Sequence, residues 1–183
     1  CCRPGRNVPT MLLQNWGATP AEVAGPVVGD ALVADARLVA TRSILLAAPP
    51  QAVFPWLVQL GFGRAGWYSY DWIDNLGRRS AMRIVPQWQV LHAGDAVPGG
   101  PMDFVAAVVE RPTALVLAVH GSGPLLRRVG FTLAFDLRPD GDGTRLVTRV
   151  RSRIDLPGGR FVERWLLGPG DGVMVRRQLL NLR

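Results

Sequence analysis

Four aromatic rings fall within six residues at Trp67-Tyr68-Ser69-Tyr70-Asp71-Trp72. Such rings bring large, rigid apolar area, and Tyr and Trp add a polar tip that can orient a bound molecule. The chemistry on offer is binding of an apolar ligand; the competing reading is a core anchor that pins neighbouring elements to a sheet. Both predict burial, and only the first predicts a void beside the rings. Asp71, Asp74 and Asn75 close this segment, either as paired polar groups near a cavity mouth or as caps of a short helix.

Other residue types that do chemistry carry less. Gly61-Phe62-Gly63-Arg64-Ala65-Gly66 matches the G-x-G-x-x-G spacing of a dinucleotide site. That site needs a preceding strand, a helix opening at its end and an acid about 20 residues on. Here a Pro-containing helical segment precedes it and no Asp or Glu occurs from 75 to 94, so the glycines read as a turn and no cofactor is expected. His120 precedes Gly121-Ser122-Gly123, but G-x-S-x-G is absent. It reads as a structural or surface residue, or as a polar group facing a cavity. Arg42 sits among apolar neighbours, where its long stem either reaches solvent or meets an anionic ligand head. Cys1 and Cys2 are adjacent and the chain holds 2 His, so neither a disulfide framework nor a metal site is expected.

A length of 183 residues with 48% apolar and 19% charged suits one globular domain with its own core. No apolar run reaches the roughly 18–20 residues a membrane helix needs, which points to a soluble, cytoplasmic protein. The chain starts at Cys1, so upstream residues are expected to have been removed, and a segment before residue 1 is the route to membrane association. The net charge of +7 rests on 21 basic residues, all Arg. They form short pairs at Arg78-Arg79, Arg127-Arg128 and Arg176-Arg177 with no long run, a pattern for solvated faces or peripheral attraction to an anionic membrane rather than nucleic acid.

The elements follow from periodicity. Residues 1–37 read as a Pro/Gly-punctuated lead-in, packed on or extending from the domain, with a short helix from Thr19 as N-cap and Pro20 at the first position. A domain over 38–183 begins with a strand from Leu38 to Ala47. A short helix over Gln51 to Leu60 follows, with Val53, Trp56, Leu57 and Leu60 on one face, then a second over Tyr68 to Leu76, closed by Gly77. Strands are expected at Val85 to Leu91, Asp103 to Glu110, Ala114 to His120, Gly130 to Arg138 and Thr144 to Arg153. Phe131, Leu133, Phe135 and Leu137 alternate with Thr132, Ala134 and Asp136, as in a strand with one buried face. Asp140-Gly141 turn chemistry makes the last two strands a hairpin. Helical spacing returns at Phe161, Val162, Trp165 and Leu166, is broken at Gly168-Pro169-Gly170, and resumes after Asp171. The order is α+β, with helices on one side of an antiparallel sheet.

The chain resembles the SRPBCC superfamily of START-like, polyketide-cyclase-like helix-grip proteins, and within it a bacterial subgroup. The resemblance is carried by Trp16-Gly17-Ala18-Thr19 with Glu22-Val23, by the run from Ala48 to Gly61, by Gly66-Trp67-Tyr68-Ser69-Tyr70-Asp71-Trp72-Ile73-Asp74-Asn75-Leu76 and by the run from Met174 to Leu180. It implies a curved antiparallel sheet wrapped around a C-terminal helix, with a cavity between them. The break at Gly168-Pro169-Gly170 departs from the single long helix of that fold. Superfamily members include lipid carriers, hormone-binding proteins and aromatase/cyclases, so fold alone does not decide function.

The expectation drawn is binding or transport of a hydrophobic small molecule, lipid-like or polyketide-like, in an internal cavity. The alternative is a cyclase or dehydratase acting there, with Tyr70, His120 or Asp71 moving protons. Candidate lining residues before the sheet are Trp56, Trp67, Tyr68, Tyr70 and Trp72. Those in or after it are Trp88, His120, Phe131, Phe135 and Trp165.

Overall fold

The computed structural model describes residues 14–100, 103–119, 128–163, 170 and 172–182. A short helix α1 (Pro20–Ala24) and a 3-10 turn (Asp30–Val33) lead into strand β1 (Leu38–Leu46), helix α2 (Pro50–Val58) and the single helical turn α3 (Asp71–Asp74). Strands β2 (Ala96–Val97), β3 (Phe104–Glu110), β4 (Ala114–Val119), β5 (Val129–Asp140) and β6 (Gly143–Ile154) follow. Helix α4 (Gly159–Phe161) and the longer α5 (Gly172–Leu182) end the chain. Among the described residues no helix is long and apolar enough to cross a membrane.

The strands form one antiparallel sheet in the order β1-β6-β5-β4-β3-β2. The β5–β6 hairpin turns at Gly141-Asp142, with Asp140 paired to Gly143 and Gly141 in the left-handed region at φ 57°. This is where the Asp-Gly sequence places it, because glycine takes that conformation without a Cβ clash. Alternation then sorts the faces. Ile44 and Leu46 of β1, Leu115 and Leu117 of β4, Leu133, Phe135 and Leu137 of β5, and Leu146 and Val150 of β6 all enter one core cluster. Val53, Phe54, Leu57 and Val58 of α2 complete it, together with Val175 and Leu179 of α5. The C-terminal helix thus lies on the same face as α2, beside β1.

The opposite face is closed by the N-terminal segment. Val27 packs with Val116, Ala134 and Val147. Arginines at alternate β6 positions strap this segment down. Arg145 pairs with Glu22 at 2.8 Å, the buried Arg149 with Asp30 at 2.7 Å, and Arg153 with Asp35 at 2.6 Å. Arg149 also donates to the carbonyls of Glu22, Val23 and Gly25, and Arg151 to that of Val33. α1 itself carries a full capping box, with Thr19 and Glu22 each bonding the other's backbone N–H.

Two expected elements change. Val85 to Leu91 is not a strand: Pro86 has no N–H for a ladder and instead starts a 3-10 turn over Pro86–Trp88. The helix expected over Tyr68 to Leu76 shrinks to Asp71–Asp74, because Tyr68 takes a left-handed φ of 56° and Leu76 one of 50°, which no helix accommodates. The expected helix break at 168–170, and the stretch holding Trp165, lie outside the described residues except for Gly170.

Candidate functional site

The site grows from the end of α2. Gln59, fully buried there, uses its whole amide. Its Oε1 accepts from Val85 N–H at 2.9 Å and from Gln89 Nε2 at 3.2 Å. Its Nε2 donates to the Arg83 carbonyl at 3.2 Å and to the Tyr68 hydroxyl. The acceptors and donors on either side fix which way the amide points. Tyr68 Oη therefore accepts from Gln59 and keeps its own hydrogen for another acceptor. Burial pushes the Tyr68 hydroxyl above its ordinary pKa of 10, with the Gln59 bond acting the other way, so the phenol stays protonated at neutral pH.

A tyrosine with φ of 56° costs roughly 1–2 kcal/mol relative to an ordinary backbone conformation. Contacts on both sides hold it there. Trp56 meets the Tyr68 ring edge-to-face with centroids 5.9 Å apart, and Asn181 of α5 donates from Nδ2 to the Tyr68 carbonyl at 2.8 Å. Next to it, Ser69 Oγ donates to the Met174 carbonyl at 3.1 Å, so α5 docks onto this turn at both ends. Asp71 then binds Ser80 twice, from its N–H at 3.1 Å and its Oγ–H at 2.6 Å. Gly66 makes this possible: at φ 83°, a Cβ there would stand 2.4 Å from Ser80 Oγ.

These contacts frame a cleft of about 580 Å³. Trp56, Tyr68, Ala81, Met82 and Leu182 line it with apolar surface, and Ser69, Asp71, Arg79, Ser80 and Asn181 add polar groups. The volume and the mixture of apolar surface with polar groups suit a small organic molecule. Asp71 is the carboxylate on this wall, and both its oxygens are engaged by Ser80. Asp74 beside it has no hydrogen-bond partner for either buried oxygen. Burial, and then the like charge of Asp71, push its carboxyl up to about 6.

The expected lining residues separate into groups. Trp56 and Tyr68 lie on the cleft wall. Tyr70 is half-buried on its flank under the Arg177 guanidinium, 6.0 Å from the ring centroid. Trp67 is buried in an aromatic row with Phe104 at 5.5 Å, and Phe104 in turn lies 6.0 Å from Phe131. Phe135 is fully buried in the core. Trp88 borders a shallower groove with Arg64, whose guanidinium donates to the Val58 and Trp88 carbonyls. Trp72 points outward at 74% exposure and is not among the residues that line the cleft, because α3 is one turn long and turns that side to solvent. His120 and Trp165 lie outside the described residues. Arg42 does not reach solvent; it is completely buried on β1.

The cleft opens beside the last turn of α5 and the 79–82 segment, rather than between the middle of the helix and the sheet, where Val175 and Leu179 pack into the core. Ser80, Ala81, Met82, Asn181 and Leu182 escape a reading by periodicity. The first three sit in an irregular segment, and Asn181 is a polar residue near the chain end whose partner is a backbone carbonyl 113 positions away. Among the described residues no group of three or more His, Cys, Asp or Glu is placed to hold a metal ion.

No protein-family model matches the chain, and no curated protein matches it in sequence. Solved structures do match. The solution structure of the protein KanY superposes with a TM-score of 0.51 at 15% identity, over 79% of this chain and 93% of that one. DynU16, from the dynemicin biosynthetic locus, matches at 0.48 and 18% over 79% of this chain, which spans only 46% of that protein. A norcoclaurine synthase from Thalictrum, bound to a transition-state analogue, matches at 0.46 and 14% over 79% and 93%. Identities this low speak to the fold: a curved antiparallel sheet gripping a C-terminal helix.

Proposed function

We propose that this helix-grip chain binds a hydrophobic small molecule, lipid-like or polyketide-like, in the cleft beside Tyr68. One observation carries the reading: a cleft of about 580 Å³ whose lining joins the apolar surface of Trp56, Tyr68, Ala81, Met82 and Leu182 to the polar groups of Ser69, Asp71, Arg79, Ser80 and Asn181. Affinity then comes mainly from apolar burial at about 25 cal/mol per Å², and the polar lining groups set orientation. A cyclase or dehydratase working here would need a group free to move a proton within about 3 Å of substrate. Asp71, occupied twice by Ser80, supports the carrier over the enzyme.

The test is thermal unfolding with a panel of fatty acids, planar polyketide-like aromatics and lipid extracts. A ligand at 100 times its Kd adds about 2.7 kcal/mol, a rise of roughly 5–10 °C for a chain of this size. Ala81→Trp, which fills the cleft, should abolish the rise while keeping the unliganded circular dichroism. No rise and no co-purifying molecule across the panel would refute the reading.

A further inference from the structure

The loop that contributes Asp71, Arg79, Ser80, Ala81 and Met82 to the cleft has an unusual outer surface. Trp72, Ile73 and Leu76 are exposed at 74%, 49% and 76%, and Met82 at 92%. Scattered exposed apolar residues are ordinary, but four within eleven positions are not. They belong to one piece of structure. Asp71 holds Ser80 by two bonds, Asn75 Nδ2 donates to the Arg78 carbonyl at 2.8 Å, and Gly77 N–H returns to the Asp71 carbonyl at 2.7 Å. Residues 71–82 thus form a loop stapled at its base, with apolar side chains left outside. Ala81 N–H, bonded to the Ala65 carbonyl at 2.8 Å, ties the loop to the domain.

Charge accompanies the apolar groups. Arg78, Arg79 and Arg83 are exposed on the same segment, and Arg177 lies over Tyr70 just before it. The acids present are Asp71, committed to Ser80, and Asp74, whose carboxylate oxygens are buried rather than displayed. The face therefore offers Trp, Ile, Leu and Met flanked by guanidinium groups. A tryptophan with its indole half in apolar surroundings and its N–H in water suits the headgroup boundary of a bilayer, and each nearby Arg adds attraction to anionic lipid. A protein partner would more often receive such a patch in a shaped groove, whereas here the side chains stand exposed on a loop between guanidinium groups.

We propose that the 71–82 loop docks on anionic membrane surfaces, inserting Trp72, Ile73, Leu76 and Met82 among the headgroups while Arg78, Arg79 and Arg83 engage lipid phosphates. The proposal does not depend on ligand binding in the cleft, although Arg79 and Met82 are shared by both and docking would turn the cleft mouth toward the lipid.

The experiment is flotation with vesicles of phosphatidylcholine alone and of phosphatidylcholine with about one-third phosphatidylglycerol. Binding is expected to the anionic vesicles. Trp72→Ser/Leu76→Ser should lower the partition coefficient at least about tenfold, and Arg78→Gln/Arg79→Gln should do likewise at low salt. All four positions are exposed, so both variants should keep the wild-type melting temperature within about 2 °C, which is measured alongside. Absence of wild-type binding at low salt overturns the proposal. So does unchanged binding by the Trp72/Leu76 variant, since attraction would then be charge alone. Neither result touches the thermal-shift test of the cleft, and an empty cleft would leave vesicle binding intact.

Discussion

Glu22 offers a sharp test of how the N-terminal segment is held. Its carboxylate accepts from Arg145 Nε at 2.8 Å and Nη2 at 2.9 Å, from Ser43 Oγ at 2.9 Å and from the Thr19 N–H at 2.7 Å. The Arg145 bond dominates, and the carboxyl falls from its ordinary 4.5 to about 2. The side chain is only 10% exposed, so solvent screening is limited. At about 1.4 kcal/mol for each tenfold change in proton affinity, that fall corresponds to about 3 kcal/mol. The folded pKa is the lower one, so this stability is present above pH 4.5 and disappears as pH falls toward 2. Glu22→Gln should therefore unfold about 3 kcal/mol more easily at pH 7, a melting temperature roughly 6–12 °C lower. The gap should shrink to about 1 kcal/mol by pH 2.5 and close as the pH falls below 2. Urea unfolding at pH 7, 5, 3.5 and 2.5 measures it. A gap below about 1 kcal/mol at pH 7, or one that does not shrink with acid, would refute the reasoning.

Asp74→Asn should act with the opposite sign: its carboxyl is raised to about 6, so the charged form penalises the fold above that pH. The variant should gain about 1–2 kcal/mol at pH 7.5, after allowance for partial exposure, and lose the advantage below about pH 4, as urea unfolding would show. Gln59→Leu strands the Val85 N–H, the Arg83 carbonyl and the Tyr68 hydroxyl, and should cost about 2–4 kcal/mol in the same assay. Gly66→Ala must both adopt a left-handed backbone and push Ser80 away from Asp71, so a loss of at least about 2 kcal/mol is expected, together with weaker ligand-induced stabilisation.

Much of the fold is legible in the residues because the strands announce themselves by alternation and the turns by glycine. Phe131 to Leu137 and Leu146 to Val150 show their buried faces directly, and Asp140-Gly141 marks the hairpin. Thr19-Pro20 with Glu22 marks α1 to the residue. The strand expected over Val85 to Leu91 fails because apolar content there is not matched by free N–H groups once Pro86 is present. The site is legible only in half. Trp56 and Tyr68 are conspicuous as aromatics near glycine turns, but Trp72 belongs to the same aromatic run and faces outward. What separates them is the left-handed backbone at Tyr68, a property no side-chain pattern records. The β6 arginines read as solvated charge along the chain, and only the tertiary structure shows that Glu22, Asp30 and Asp35 come to meet them.

Native mass spectrometry of the protein purified from its own host tests the central claim most directly. The spectrum should show a population carrying a non-covalent adduct of a small apolar organic compound, lost on denaturation and missing from Ala81→Trp prepared in parallel. A single bare mass for the wild type, or an adduct that Ala81→Trp retains in full, would contradict it.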